Sequence, residues 1–427
     1  MEDYKNLPSI EVDVLVCGAG PAGIGAAIRA AESGAKTMII EMTDCLGGIA
    51  TAGMMSHWTG RSSSKIMLEI FNRQKIKSKV LGQREGREVW QHAINHEAYK
   101  IILEEMMQEK SVNILYYTLV CGSIVEDGKI KGIIIQNKSG RSVVYAKCVI
   151  DSTGDGDVAA YAGVPYFKGR ESDGKMQPAT LMFKVGGVDY DRAVFPQCFE
   201  DKVVTEKGEL QALAKEKLPF PAGHVLLYPQ TTDGTVCCNM TNAIGIDGTK
   251  TEDLTRALLT CRSQLEKIVK FLKDYVPGYE RCWLMSSANL IGIRETRHFK
   301  GLSSLSPEDI LTAKEYDTWV VKRAFFNFDV HNMTGASIDA TGVQKNWKQN
   351  KDYTIPYGCL IPQNVENLLL SGRNISGSHL AHSNFRVMPI CMAIGEAAGA
   401  AAGIFVKEKL SSLKDVNVKK IQSIVGE

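Results

Sequence analysis

This sequence of 427 residues has no large excess of positive or negative charge, because it contains 50 Lys and Arg residues and 48 Asp and Glu residues. Without a basic face, we expect neither nucleic acid nor an anionic membrane surface as a partner. No apolar run approaches the length that a membrane span needs, and the N-terminal segment MEDYKNLPS is too polar for a signal peptide. These absences predict a soluble, cytoplasmic protein.

Paired cysteine motifs are missing as well. The chain has 11 cysteines, an odd number, and none of them forms a C-x-x-C or C-x-x-x-x-C pair. Most lie inside apolar runs, as Cys17 and Cys391 do, which is typical of reduced, buried thiols. The Cys and His spacings of metal sites are also absent, so we predict no metal.

The most informative stretch that is present runs from Val12 to Glu41. A buried strand is predicted to end where the spacing G-x-G-x-x-G begins, and a helix of small residues and a second strand follow. Such glycines let a pyrophosphate approach the free amides of the helix N-terminus, and an acid about twenty residues further on can hold ribose hydroxyls. We therefore predict a dinucleotide site. The predicted contacts are Gly18, Gly20, Pro21, Ala22, Gly23, Glu41 and Met42.

Two further glycine-rich turns are predicted to contact the same ligand. The first, GGIAT, lets the backbone lie flat against an extended molecule. The second, STGDGD, looks like another dinucleotide fingerprint, but the helix after it is short and Gly163-Val164-Pro165 stands where a second strand and acid are required. We expect its strand to return beside the first strand, with the turn closing over one shared ligand. The predicted contacts in these turns are Gly47, Gly48, Ala50, Thr51, Thr153, Gly154 and Asp155.

The apolar periodicity predicts an α/β fold with a parallel sheet. Helices are expected over residues 65–81 and 95–110, and three strands joined by turns at Asp127-Gly128 and Ser139-Gly140 should form a β-meander. The predicted domains are a Rossmann-like nucleotide-binding domain (first part, residues 1–165), an inserted α+β substrate domain (166–350) and the C-terminal part of the nucleotide-binding domain (351–427).

Two more helices are marked by proline in their first turn. One is expected to start at Ser306 inside the insert, which should also contain a long helix over residues 251–276. The other opens at Met388-Pro389 and consists mostly of small residues. Because small residues allow close approach, we expect this helix to pack against the first strand and its helix.

The chain resembles the bacterial FAD-dependent oxidoreductases of largely unassigned substrate, which have the glutathione-reductase type of FAD-binding fold. The segments that carry the resemblance follow the order of that family along nearly the whole chain. They are GAGPAG (18–23), GGIAT (47–51), DSTGDGDVA (151–159), GIRETR (292–297), IPYGCLIP (355–362) and LLLSGRNISGSHLAHSNFRVMPICMAIGEAAG (368–399). His57-Trp58 departs from the family pattern, and whether His57 or Cys45 contacts the flavin stays open.

The resemblance implies that the cofactor is FAD. Val120 would contact the adenine through its backbone, and the turn at Gly154 would close over the dinucleotide. The flavin end would be held by Gly372, Arg373, His379 and Met388. A helix that begins at Met388 would place its positive N-terminus at the flavin, where negative charge develops on reduction.

Charged and imidazole side chains near that end are the candidates for chemistry. An arginine could hold a substrate carboxylate, and a histidine could accept the proton that leaves with a hydride. Alternatively, Arg294, Glu295 and Arg297 could form a structural ion-pair lattice at a domain junction. The predicted catalytic residues are Arg294, His331, His379 and Arg386.

The predicted function is hydride transfer between FAD and a small polar substrate that bears a carboxyl or hydroxyl group. Two other enzyme classes stay open, a fumarate-reductase-like alkene reductase and a monooxygenase. A non-catalytic FAD-binding scaffold is the alternative outside enzymes. No second dinucleotide fold is predicted, so the electron donor or acceptor would be a separate molecule.

Overall fold

The computed structural model describes residues 4–81, 93–338 and 346–426, and a mixed seven-stranded sheet forms its centre. The strand order is β3-β2-β1-β6-β5-β4, and β17 also pairs with β6. The strands are β1 (Ser9–Cys17), β2 (Thr37–Ile40), β3 (Asn113–Leu115), β4 (Leu119–Glu126), β5 (Lys129–Asn137), β6 (Gly140–Asp151) and β17 (Leu368–Leu370).

The long strand β6 joins the parallel and antiparallel parts of this sheet. It runs parallel to β1, with Leu15 opposite Val149, and antiparallel to β5 along its first half. Its last residues run parallel to β17, with Leu369 opposite Ile150. The prediction that this strand returns beside the first strand is confirmed, as is the β-meander.

The helices follow the predicted periodicity closely, with bounds that differ by one or two residues. The helix that starts at Ser306 has the predicted cap: Ser306 and Asp309 form a reciprocal capping box. The helices are α1 (Pro21–Glu32), α2 (Lys65–Val80), α3 (His96–Glu109), α4 (Asp157–Tyr161), α5 (Leu210–Lys217), α6 (Thr251–Tyr275), α7 (Pro307–Leu311), α8 (His379–Phe385), α9 (Met388–Lys407) and α10 (Val418–Val425).

A second, antiparallel sheet lies in the segment predicted as an insert. Its strand order is β11-β12-β8-β13, and apolar residues of α6 are buried with it in a separate core. Its strands are β8 (Phe183–Gly186), β11 (Leu227–Pro229), β12 (Val236–Cys238) and β13 (Trp283–Ser287). Short two-stranded pairs complete the segment and its borders: β7 (Tyr166–Lys168) with β14 (Arg297–Phe299), β9 (Val204–Thr205) with β10 (Gly208–Glu209), and β15 (Trp319–Ala324) with β16 (Tyr353–Pro356).

Part of the predicted insert belongs to the core of the central sheet. Phe299, Val320 and Phe328 are buried in the same hydrophobic cluster as Leu15 of β1. The predicted domain bounds themselves stay a prediction.

Helices α1 and α9 approach each other unusually closely. A Cβ added at Gly395 would lie 1.9 Å from the carbonyl oxygen of Ala22, and one at Gly399 would lie 2.2 Å from that of Ala26. The pairs advance together by four residues, so the two helices run parallel. The expected close packing of the small-residue helix against the first helix is confirmed.

Helix α9 is also long and apolar enough to cross a membrane by length and composition, the one such helix among the described residues. The expectation that no apolar run approaches this length is therefore wrong, because alanine together with larger apolar residues such as Ile390 and Ile394 raises the mean hydropathy of α9. Its apolar window is 94% buried inside the protein, as in a core helix, and one such helix is weak evidence for a membrane span.

All 11 cysteines are free, and all except Cys121 and Cys198 are buried or nearly so. The predicted burial of most cysteines is confirmed, and their reduced state stays a prediction. Burial raises the pKa of most of them, to about 12 for Cys237, so these sulfurs are protonated thiols that pack as small apolar groups.

Candidate active site

The turn between β1 and α1 has the geometry of a pyrophosphate cradle. Gly18 has φ +92°, and a Cβ there would lie 2.4 Å from the carbonyl oxygen of Ser152. A Cβ on Gly23 would lie 1.9 Å from the carbonyl oxygen of Gly18, so both positions require glycine. Gly20 is different, because a Cβ there meets nothing within 4 Å. Its open side and the uncapped N-terminus of α1 leave room for phosphate oxygens.

The predicted ribose acid, Glu41, lies directly beneath this turn. One carboxylate oxygen accepts a hydrogen bond from the Ala19 amide at 2.8 Å, and the other accepts from the amide and hydroxyl of Thr43 at 2.9 and 3.0 Å. Since a carboxylate offers about four acceptor sites and these bonds use three, one site remains for a ribose hydroxyl. The neighbouring Met42 side chain is 53% exposed.

The GGIAT loop lies on the glycine turn, as predicted. The Gly47 amide donates to the carbonyl of Ala19 at 2.7 Å, and a Cβ on Gly48 would lie 2.9 Å from the Cα of Gly20. Ala50 and Thr51 are buried, and the Thr51 hydroxyl donates to the carbonyl of Leu46 at 2.5 Å. The two glycines therefore contact the turn between β1 and α1 through their backbone, and the Thr51 hydroxyl bonds back to the start of its own loop.

The turn after β6 links three separate parts of the chain. Asp155 pairs with Arg373 at 2.8 Å and accepts from the Thr296 hydroxyl at 2.6 Å. A Cβ on Gly154 would lie 3.0 Å from the Arg373 guanidinium. The Thr153 hydroxyl donates to Asp151 at 2.7 Å, and burial raises the pKa of Asp151 to about 6. This network brings the second glycine-rich turn beside the Gly372 turn, which sequence spacing did not show.

Helix α9 extends past the start of α1 at the same end. Ala22, at the start of α1, lies against Gly395, seven residues into α9, so the N-terminus of α9 projects roughly 10 Å further. No side chain caps that N-terminus, and Met388 is buried there. A Cβ on Gly372 would lie 3.0 Å from that of Ala22. Gly372 therefore lies beside the start of α1, and Met388 lies further along the same direction.

Val120 lies apart from these turns, in β4. This strand is the edge of the central sheet, so one side of its backbone has no strand partner there. The ladder with β5 shifts register between Val120 and Gly122. The open backbone suits the predicted adenine contact, which stays a prediction.

Beyond Gly372, Glu295 is the centre of a buried histidine network. Its Oε1 accepts from His298 Nε2 at 2.8 Å and from His379 Nδ1 at 2.6 Å, and its Oε2 accepts from the Gln177 amide at 3.1 Å. Burial raises the pKa of Glu295, but the hydrogen bonds from the two histidines outweigh it and keep the pKa well below its usual range. Burial holds the pKa of His382, edge-on to His298, well below 6.5. Glu295 is therefore an ionised carboxylate among imidazoles.

A second network surrounds Asp329. Its carboxylate accepts from Arg386 at 2.9 Å and lies 3.3 Å from His331 Nε2. Arg294 donates to the carbonyl of Pro178 at 2.5 Å. Burial lowers the pKa of Arg294 to about 10 and that of His331 to about 4, so at neutral pH the first is a cation and the second is neutral.

Gln177 bridges the two networks. Its backbone amide donates to Glu295. Its side-chain oxygen accepts from the backbone amide of His331 at 3.2 Å and from Arg386 at 3.5 Å. Three predicted catalytic residues, His331, His379 and Arg386, thus lie in one connected set, and the fourth, Arg294, donates to the carbonyl of Pro178, the residue after Gln177. Gln177 and Asp329 were not among the predicted site residues, and the only sequence signal for Asp329 is its place in the Phe-Asp-Val-His stretch.

The alternative lattice of Arg294, Glu295 and Arg297 does not form among the described residues. Arg297 pairs with Asp157 at 2.8 Å, while Glu295 contacts histidines. Each side chain of the three therefore points to a different neighbour.

Glu295, His298 and His382 also form a group whose possible ligand atoms lie within 4.8 Å of one another. Hydrogen bonding between Glu295 and His298 accounts for their close approach without an ion. The expected absence of a metal stays a prediction.

Cys45 and His57 have local partners. Burial raises the pKa of the Cys45 thiol, which points to Thr51 at 3.6 Å. The two ring nitrogens of His57 lie 2.7 and 3.1 Å from the hydroxyls of Ser56 and Thr59. Whether either residue contacts the flavin stays open.

The residues at the cradle fit a dinucleotide. Besides the open side of Gly20, the buried hydroxyls of Ser152 and Ser371, at the ends of β6 and β17, have no hydrogen-bond partner among the described residues. Buried polar atoms without partners are costly unless a ligand satisfies them. The cradle, the buried acid and the two uncapped helix N-termini define a dinucleotide-binding protein of the Rossmann type.

The family follows from comparison with known proteins. The family model described as FAD dependent oxidoreductase matches residues 13–425, and the chain belongs to this family. The protein is an FAD-dependent oxidoreductase with FAD as its cofactor, as the resemblance implied.

Curated relatives match over parts of their length. The tRNA uridine 5-carboxymethylaminomethyl modification enzyme MnmG of Flavobacterium johnsoniae is 34% identical over 135 residues, 29% of this chain and 21% of that protein. Digeranylgeranylglycerophospholipid reductase 1 of Methanococcoides burtonii is 23% identical over 286 residues, 62% of this chain and 59% of that protein. The matches thus span less than two thirds of either relative.

Solved structures share the fold along nearly the whole chain. A geranylgeranyl bacteriochlorophyll reductase-like protein from Thermoplasma acidophilum has a TM-score of 0.51 at 15% identity, covering 97% of this chain and 82% of that one. The flavin-dependent brominase Bmp2 has a TM-score of 0.53 at 10% identity, covering 98% and 84%. At such low identity these likenesses show the fold alone.

Proposed function

We propose that the protein transfers a hydride between FAD and a small polar organic substrate that bears a carboxyl or hydroxyl group. The observation that carries this proposal is the pair of His379 and Glu295. An ionised carboxylate only accepts hydrogen bonds, so Glu295 requires a proton on His379 Nδ1. In the neutral imidazole, a proton on Nδ1 leaves the lone pair on Nε2. That buried Nε2 has no partner among the described residues.

This arrangement suits a proton acceptor. FAD, when bound, supplies the two-electron acceptor. As a C–H bond of a substrate alcohol gives up its hydride, His379 Nε2 takes the hydroxyl proton and the carbon–oxygen bond becomes a carbonyl. Glu295 then stabilises the imidazolium. In the reverse direction the same nitrogen returns the proton.

The proposed partners are a small-molecule substrate and a separate electron donor or acceptor. The near-balanced charge supports the absence of nucleic acid and anionic membrane as partners. An alkene reductase or a monooxygenase would use the same cofactor site. The lone pair on His379 supports dehydrogenation over either, because a proton acceptor is what that reaction requires.

The test is anaerobic mixing of the FAD-loaded protein with a panel of hydroxy acids, alcohols and sugars while the flavin absorbance is recorded. We expect at least one compound to bleach the oxidised flavin band, and His379→Ala to slow the bleaching by about 10² or more. Equal flavin content in the variant is the control for folding. If no compound bleaches the band, or if His379→Ala leaves the rate unchanged, the proposal is wrong.

A further inference from the structure

Two buried N–H donors beside His331 have no partner among the described residues. They are Nε2 of Gln177, a residue that is 2% exposed, and Nε of Arg386. The Gln177 oxygen lies 3.5 Å from Arg386 Nη2, so the two open donors are close neighbours. A buried donor without an acceptor is destabilising, and a ligand that supplies an acceptor would remove that cost.

The charges around Asp329 do not balance. Arg294 and Arg386 are both cations, and Asp329 is the one carboxylate that contacts either of them among the described residues. His331 is neutral, and it shares Asp329 with Arg386. Glu295 is occupied by histidines on the other side of Gln177. One positive charge therefore has no counter-ion in this group, and a partly buried cation without one favours an anion.

The size of the imbalance indicates the chemical class of that anion. One excess positive charge matches a monoanion, whereas a phosphate dianion would leave the group negative. A guanidinium and a carboxamide both present N–H groups in a plane, which suits the two oxygens of a carboxylate. A hydroxyl would satisfy one donor and leave the charge unpaired.

We propose that Arg294, Arg386 and Gln177 bind one carboxylate group of the substrate. The proposal narrows the proposed function, on which it rests for the identity of the ligand as substrate. Gln177 also contacts Glu295 through its amide, so the bound carboxylate and His379 are held by one connected frame. A carboxylate fixed there presents the remainder of the molecule toward the histidine network.

The test measures binding without turnover, by titration calorimetry on the FAD-loaded protein at pH 7. The probes are acetate and benzoate, each paired with its neutral amide, acetamide or benzamide. We expect at least one carboxylate to bind ten times more tightly than its amide, and Arg386→Gln and Arg294→Gln each to weaken it by tenfold or more. Arg256→Gln is the control, because Arg256 is exposed and pairs with Asp253 on the surface.

Gln177→Glu tests the same site without a change of volume, because it puts a negative charge where the carboxylate would bind. We expect it to abolish carboxylate binding while the protein keeps its FAD. Amides that bind as well as their acids, no binding of either acid, or an unchanged affinity in folded variants would overturn the proposal.

The outcomes separate this inference from the proposed function. A protein that binds carboxylates but whose flavin no substrate bleaches keeps the carboxylate site and refutes hydride transfer. A protein whose flavin is bleached by neutral alcohols, and which binds no carboxylate, refutes the inference alone.

Discussion

Replacing Gly395 with alanine should separate α1 from α9. The new Cβ would lie 1.9 Å from the Ala22 carbonyl oxygen, 2.7 Å from its carbonyl carbon and 2.9 Å from its Cα. All three atoms are backbone, so no side chain can rotate away. Relief requires one helix to move by roughly 1 Å or more against a densely packed neighbour.

Two opposing terms set the size of the effect. Alanine in place of glycine gains about 0.5 to 1 kcal/mol of helix propensity. Overpacking of a core costs about 1 to 3 kcal/mol, and a collision with rigid backbone belongs at the upper end or beyond. We therefore expect a net loss of roughly 2 kcal/mol in the free energy of unfolding and a melting temperature lower by a few degrees.

The assay is urea and thermal unfolding of the FAD-loaded protein, with FAD retention measured on the same samples. Gly403→Ala is the matched control, because its Cβ would meet the Oγ and Cβ of Ser33 at the C-terminal cap of α1. Ser33→Gly should relieve that collision, whereas Ala22→Gly should not relieve Gly395→Ala. Stability equal to the wild type in Gly395→Ala, or rescue by Ala22→Gly, would refute the reasoning.

Two other predictions concern the site, and a third concerns the buried His96 of α3. Glu41→Ala should weaken FAD binding by about tenfold to a hundredfold, since hydrogen bonds to a charged group contribute about 1.5 to 3 kcal/mol. Equilibrium dialysis measures this affinity. Asp44→Ala is the control, because Asp44 is exposed and its loss should leave the FAD affinity unchanged. Glu295→Gln should slow flavin reduction by the substrate, because a neutral amide no longer stabilises the imidazolium that forms on His379; an unchanged rate would remove Glu295 from that role. Burial lowers the pKa of His96 from 6.5 to about 3, so the unfolded chain binds a proton that the folded chain does not, and stability should fall as the pH drops below about 6.5, by up to about 1.4 kcal/mol per pH unit. Urea midpoints between pH 7 and 5 should fall less steeply in His96→Gln, and equal slopes would contradict this account.

The cofactor half of the site could be predicted because its signals are local. The glycine spacing, the helix and the acid at Glu41 all lie within one strand–helix–strand unit, where periodicity and turn chemistry act over a few residues. The capping box at Ser306 could be recognised for the same reason. In the insert, the strands of the second sheet have only three to five residues, and apolar runs that short do not show which strands pair.

The substrate half could not be predicted in the same way. Gln177 contacts Glu295 across 118 positions, and Arg386 reaches Asp329 across 57. No local pattern records such pairings, which arise only when the second sheet and the C-terminal segment come together. The sequence indicated the histidines and arginines as candidate catalytic residues. Their grouping around the carboxylates of Glu295 and Asp329 depends on the tertiary fold.

The contact of α1 with α9 has a consequence for how the protein is made. Arg29 and Glu396 pair across 367 positions at 2.7 Å. At a synthesis rate of about 5 to 20 residues per second, the partner helix is made some 20 to 75 s after α1. During that interval the apolar surfaces of α1 and of the adjacent sheet lack their native partner α9 and are exposed on the ribosome. The nascent chain should therefore bind chaperones. Stable uptake of the nucleotide should then wait until α9 has left the exit tunnel.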